Sequence, residues 1–79
     1  MNQDYQPVSC DLHSQYELLA QHRATVTLHY QDEQGAEQHF HGRVVDVYTR
    51  DGAEYMKLEN DAGETLEVRL DRIDRVRRH

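Results

Sequence analysis

The histidines come closest to a chemical centre. His39 and His41 lie two apart, so on a strand they share one face, and His29 falls where a neighbouring strand would run. Three imidazoles on one face are a partial zinc set, since zinc takes nitrogen, sulfur or carboxylate ligands in fours. No cysteine or further histidine at a suitable spacing completes it. The expectation is a solvated outer face, with no metal and no cofactor. Cys10 with His13 is the one thiol–imidazole pair close in sequence. A thiol nucleophile needs a base and an orienting third group held in a cleft, and nothing in the sequence supplies one. Cys10 is therefore expected to pack as a small apolar group at the start of a helix. Carboxylates are plentiful, but exposed acids stay ionised and do no acid–base work. There is no glycine-rich phosphate loop. The chain does not read as an enzyme.

Charge is the stronger signal. Fifteen Asp plus Glu stand against nine Lys plus Arg in 79 residues, for a formal charge of −6. The imbalance is uneven: residues 1–68 hold 13 acids and four bases, and residues 69–79 hold five arginines and two aspartates. An acidic body repels phosphate backbones, whose binding rests on Lys and Arg, so no direct nucleic-acid contact is expected from it. It suits a basic protein partner. The basic tail from Leu70 to His79 could touch nucleic acid, or pair with the acidic body, or fray. The charge density argues for a monomer. No apolar run approaches the ~18 residues of a membrane span. The start of the chain has neither a basic nor an apolar stretch, and a lone cysteine makes no internal disulfide. A cytoplasmic protein is expected.

These side chains need elements to position them, and one domain is the ceiling at this length. Residues 1–8 read as an extended arm, since Pro7 pushes Gln6 away from the helical region. Ser9 or Asp11 can cap a helix over 9–23, with Leu12, Tyr16, Leu19 and Ala20 on one stripe. From Ala24 the period changes to two. Val26, Leu28 and Tyr30 mark a first strand, followed by a turn from Gln31 to Gly35. A second strand over about 38–48 has a phase slip: Phe40, Gly42 and Val44 share one parity, Val45 and Val47 the other. A bulge or bend near Gly42 to Val45 would bring both sets to one core. Asp51-Gly52 is a strong turn signal, and an exposed loop on a rigid scaffold suits recognition. A third strand over 54–59, a turn at Asn60–Gly63, a fourth strand over 65–70 and a short fifth element with Ile73 and Val76 complete the chain. The expected fold is mainly β with one N-terminal α-helix. It is a small Sm-like five-stranded antiparallel barrel with a strongly bent second strand, forming a single domain over 1–79 with the barrel over 24–77.

The stretches Tyr5-Gln6-Pro7-Val8-Ser9-Cys10-Asp11 and Glu17-Leu18-Leu19-Ala20-Gln21-His22 resemble the bacterial Rof (YaeO) family. So do Glu54-Tyr55, Gly63-Glu64-Thr65 and the run from Val68-Arg69-Leu70-Asp71-Arg72 to Ile73, in the same order and over nearly the whole chain. The resemblance implies an Sm-like fold and an inhibitor of the transcription termination factor Rho. Such a protein docks on the N-terminal domain of Rho, covers its primary RNA-binding site and blocks termination. The implied contact positions are Asp11, His13, Ser14 and Glu17 on the helix side, with Arg50, Asp51 and Gly52 in the loop. Carboxylates at the helix start would stand in for phosphates against arginine. The alternative reading is a direct RNA-binding Sm-like module that uses the basic C-terminal tail.

Overall fold

The computed structural model describes residues 8–79. The arm expected over 1–8 lies, but for Val8, outside the described residues. α1 spans Cys10–Gln21, and the Oγ of Ser9 accepts a hydrogen bond from the Leu12 N–H at 3.2 Å. Ser9, rather than Asp11, is thus the N-cap. Asp11 occupies the first turn, where the helix dipole favours a carboxylate. Tyr16 is buried, and Leu12, Leu19 and Ala20 rest on the core beside it. The helix ends in a Schellman arrangement: the Ala24 N–H donates to Leu19 O and the Arg23 N–H to Ala20 O. Arg23 takes the left-handed conformation (φ 48°) that glycine usually fills there.

Five antiparallel strands follow: β1 Thr25–Gln31, β2 Glu37–Arg50, β3 Ala53–Glu59, β4 Thr65–Arg69 and β5 Ile73–Arg78. Their order in the sheet is β4-β3-β2-β1-β5. The phase slip in β2 resolves as a bulge. Opposite β3, Val44 pairs with Leu58 and Asp46 with Lys57, so Val45 is the extra residue. Before the bulge Phe40 and Val44 face the core; after it Val47 does, opposite Met56. Val26, Leu28, Val44, Met56, Leu58 and Leu70 are the fully buried centre.

Gly42 sits where two backbones crowd. A Cβ there would lie 2.7 Å from Glu59 O and 2.9 Å from a ring carbon of Phe40. The carbonyl belongs to β3 and cannot swing aside. Gly42→Ala is expected to cost about 1–3 kcal/mol of unfolding free energy, the usual range for overpacking. Chemical denaturation read by circular dichroism checks it, and a neutral substitution would show that β2 and β3 are further apart.

The expected barrel needs one correction, because the sheet does not close. β4 and β5 are its two edges, and no ladder joins them among the described residues. The cause lies in the three residues between them. Leu70–Arg72 form a 3-10 turn rather than the end of the fourth strand. Arg69 Nε donates to Asp71 Oδ1 at 3.0 Å, and Arg72 Nη1 donates to the carbonyl of Asp32 at 2.7 Å. The turn is thereby tied to the end of β1, and β5 is delivered to β1 rather than back along β4. The open edges carry charge, Glu67 and Arg69 on one and Arg75, Arg77 and Arg78 on the other, which discourages strand addition. No helix among the described residues is long and apolar enough to cross a membrane.

Candidate functional site: the helix start and the β2–β3 hairpin

The hairpin is set by two residues. Asp51 (φ 52°) and Gly52 (φ 80°) are both left-handed, the conformation a two-residue turn between twisted strands requires. Strand alternation then sorts the flanking side chains. Thr49 and Glu54, paired across the hairpin, point to the side that carries Met56 and Leu58. Tyr48, Arg50 and Tyr55 point to the other side.

α1 lies against the first of these sides, and His13 makes the junction. Its Nε2 is 3.1 Å from Glu17 Oε2 one helical turn on. Its Nδ1, sealed from solvent, faces Glu54 Oε2 at 3.1 Å without the alignment of a hydrogen bond. The imidazole thus gathers carboxylates from α1 and β3 at the foot of the hairpin. Asp11, Ser14, Asp51 and Gly52 are exposed, and Asp11 and Asp51 have no ion pair among the described residues.

Arg50 does not join this group. It is turned to the opposite side of the hairpin, its guanidinium carbon 4.8 Å from the Tyr55 ring centre and 5.8 Å from that of Tyr48. The two rings stack, with centroids 5.6 Å apart. Arg50 also approaches Glu67 at 3.8 Å, and the Tyr48 hydroxyl donates to the same carboxylate. Of the seven residues expected to make the contact, six thus flank α1 or the turn itself and one is committed to an aromatic stack. Glu54 is the residue the sequence reading left out of the site. Its pairing parity with Thr49, on the side of the core, was the signal.

The Tyr48 hydroxyl is pushed up to about 12 by burial first and then by its hydrogen bond to Glu67 and the charge there. A raised acid pKa favours the neutral form in the fold. The stability this adds is complete below the ordinary tyrosine value near 10 and is lost as pH climbs through the folded value. The expected result is that unfolding midpoints fall between about pH 10 and 12 and that Tyr48→Phe flattens this limb. The ring is only half-buried, so solvent screening keeps the effect small. Thermal melts across alkaline pH check it, and an unchanged limb would remove the Tyr48–Glu67 contact.

Two other expectations were tested by the fold. Cys10 is exposed rather than packed. It precedes the buried stripe of α1, which begins at Leu12. The histidines do share the outer face: His29 pairs with His39 across β1 and β2, with rings 6.0 Å apart. His41 turns to His79, with rings 5.0 Å apart, and Thr27 Oγ1 lies between them at 3.1 Å and 2.7 Å. No group of three or more His, Cys, Asp or Glu among the described residues is disposed to hold a metal.

A family model described as modulator of Rho-dependent transcription termination (ROF) matches residues 7–79. The chain belongs to the Rof family. It is 38% identical over 73 residues to Protein rof of Escherichia coli K12, an alignment covering 92% of this chain and 81% of that protein. The identity to Protein rof of Shigella flexneri is the same, 38% over 73 residues. Rof membership makes Rho-dependent transcription termination the setting of this protein.

Proposed function

We propose that this protein inhibits Rho by docking on its N-terminal domain and covering the primary RNA-binding site. The observation that carries the reading is the acidic group at the junction of α1 and the β2–β3 hairpin. Glu17 and Glu54 converge on His13 from two elements, and Asp11 in the first turn of α1 and Asp51 in the hairpin turn are exposed. Among the described residues, Asp11, Glu17 and Asp51 are not paired with an arginine. A site that binds RNA presents cations and N–H donors, and a carboxylate can replace a phosphate there with two parallel hydrogen bonds. The sheet behind the acids supplies bulk. The mechanism is competition by occupancy, with no bond made or broken and no cofactor. Asp11, His13, Ser14, Glu17, Asp51 and Gly52 form the contact, and Arg50 supports the hairpin through its stack. The free protein acts as a cytoplasmic monomer.

The test is a pull-down of Rho with this protein at two salt concentrations, together with release of labelled RNA from Rho. Exposed charges are screened beyond ~8 Å at physiological ionic strength, so capture should fall as salt rises. Release of RNA in step with capture supports occupancy. Capture without release would place the docking surface away from the RNA site.

A further inference from the structure

The acidic composition hides a second, oppositely charged surface. The outer face of the three strands β2, β1 and β5 can be read row by row from their pairing. One row is His41, Thr27 and Arg77; the next is His39, His29 and Arg75. His79 extends the first row through its contacts with Thr27 and His41. Two arginines and four histidines are therefore contiguous, with no acid among them, in a chain whose formal charge is −6. Acids stand only at the border: Glu37 and Asp74 at one end, and Glu59 opposite Arg43 at the other. Arg75 and Arg77 are exposed and have no ion pair among the described residues.

The basic tail is not a unit in the fold. Arg69 and Arg72 are engaged at the 3-10 turn, and Arg78 falls on the side of Val26 and Leu18. Only Arg75 and Arg77 face out beside the histidines.

We infer that this face binds a single-stranded polynucleotide. Alternate residues of a strand are about 6.7 Å apart, so Arg75 and Arg77 form a ladder of point charges suited to a chain that carries one charge per repeat. The paired imidazoles are flat groups on an open sheet, and unstacked bases lie on such rings and on guanidinium planes. A depression of about 400 Å³ between His29, His39 and Arg75, with Glu37 and Asp74 on its rim, gives one base a seat whose acids can accept from base N–H groups. An acidic peptide would meet the arginines equally well but has no ring to lay on the histidines. Strand alternation puts this face on the side of the sheet away from the core, whereas Glu54 and α1 are on the core side. The inference stands independently of the Rho reading.

The experiment is fluorescence anisotropy of labelled 15-residue oligouridylate, oligothymidylate and a duplex, titrated with the full-length protein at low salt without Rho. Saturable binding of the single strands, weaker for the duplex, is expected, and either sugar counts in its favour. Arg75→Ala with Arg77→Ala should weaken binding at least tenfold. It should also make the dependence of log affinity on log salt shallower by about 1.4, the loss of two phosphate contacts on a single strand. Arg75→Lys with Arg77→Lys should keep the slope. His39→Ala with His41→Ala should weaken binding several-fold and leave the slope alone. Unchanged thermal melts verify the fold of each exposed-site variant. The inference is overturned by no binding at about 100 µM protein, by equal affinity of the Arg75 and Arg77 double alanine variant, by equal loss from Arg78→Ala, or by a duplex that binds as tightly. Displacement by oligoglutamate at equal charge would overturn it too, since that would make the face a reader of acidic peptides.

Discussion

Leu28→Ala is expected to lower the unfolding free energy by about 2–5 kcal/mol, the range for a large aliphatic removed from a packed core. Leu28 is 0% exposed in the middle of β1. It is paired with Phe40 on β2 and with Val76 on β5, so the cavity opens where three strands share one layer. At ~0.05–0.15 kcal/mol per residue the whole fold is worth roughly 4–12 kcal/mol, and the substitution removes a large share of it. The hydrogen bonds that hold β5 on β1 are expected to fail with the layer. Urea denaturation followed by circular dichroism reads the loss as a lower midpoint at constant slope. A cost below about 1 kcal/mol would mean that the β1–β5 side is loosely filled and collapses around the alanine.

The second large effect falls on binding. Asp11→Lys with Glu17→Lys is expected to weaken capture of Rho by tenfold or more at low salt, equivalent to about 1.4 kcal/mol or above. Placing cations against a cationic site replaces attraction with repulsion, and like-charge juxtaposition across an interface costs several kcal/mol. The deficit should shrink as salt is raised. Both side chains are exposed and His13 keeps its contact with Glu54 when Glu17 is lost, so stability in the melt should fall only by the helix-dipole effect at Asp11, about 0.3–1 kcal/mol. Asp61→Lys is the control, an exposed acid in the β3–β4 turn, at the opposite end of β3 from the hairpin. Equal loss from Asp61→Lys would show that net charge, rather than the group at the helix and hairpin, governs capture. Full retention by the double variant would remove both residues from the contact.

The two effects separate the scaffold from the surface it carries. The largest share of the scaffold's stability lies in one buried layer. Gly42 belongs to the scaffold, since it is buried and a backbone carbonyl fixes its size.

Much of this was legible in the residues, because local order has local causes. The stripe Leu12, Tyr16, Leu19 and Ala20 marked α1, and the change of period at Ala24 marked β1. The parity slip between Val44 and Val47 marked a bulge that pairing later located at Val45. Asp51-Gly52 marked the turn, and the residues carrying the family likeness led to Rof before any geometry was known. Each of these signals lies within a few positions along the chain.

What the tertiary structure decided depends on which distant segments meet. Periodicity gave five strands but did not tell an open sheet from a closed barrel; that rests on Arg72 reaching the carbonyl of Asp32, forty residues away. Arg50 was expected in the contact with Asp51 and Gly52, yet alternation across the hairpin turned it to Tyr48 and Tyr55. Glu54 entered the site only because α1 folds back onto β3 through His13. The tail read as one basic block, and pairing with β1 divided it among both sides of a sheet and a 3-10 turn. Composition counts charges and averages them. Only strand pairing, which joins residues far apart in sequence and sends neighbours to opposite faces, could separate an acidic corner from a cationic face in the same small chain.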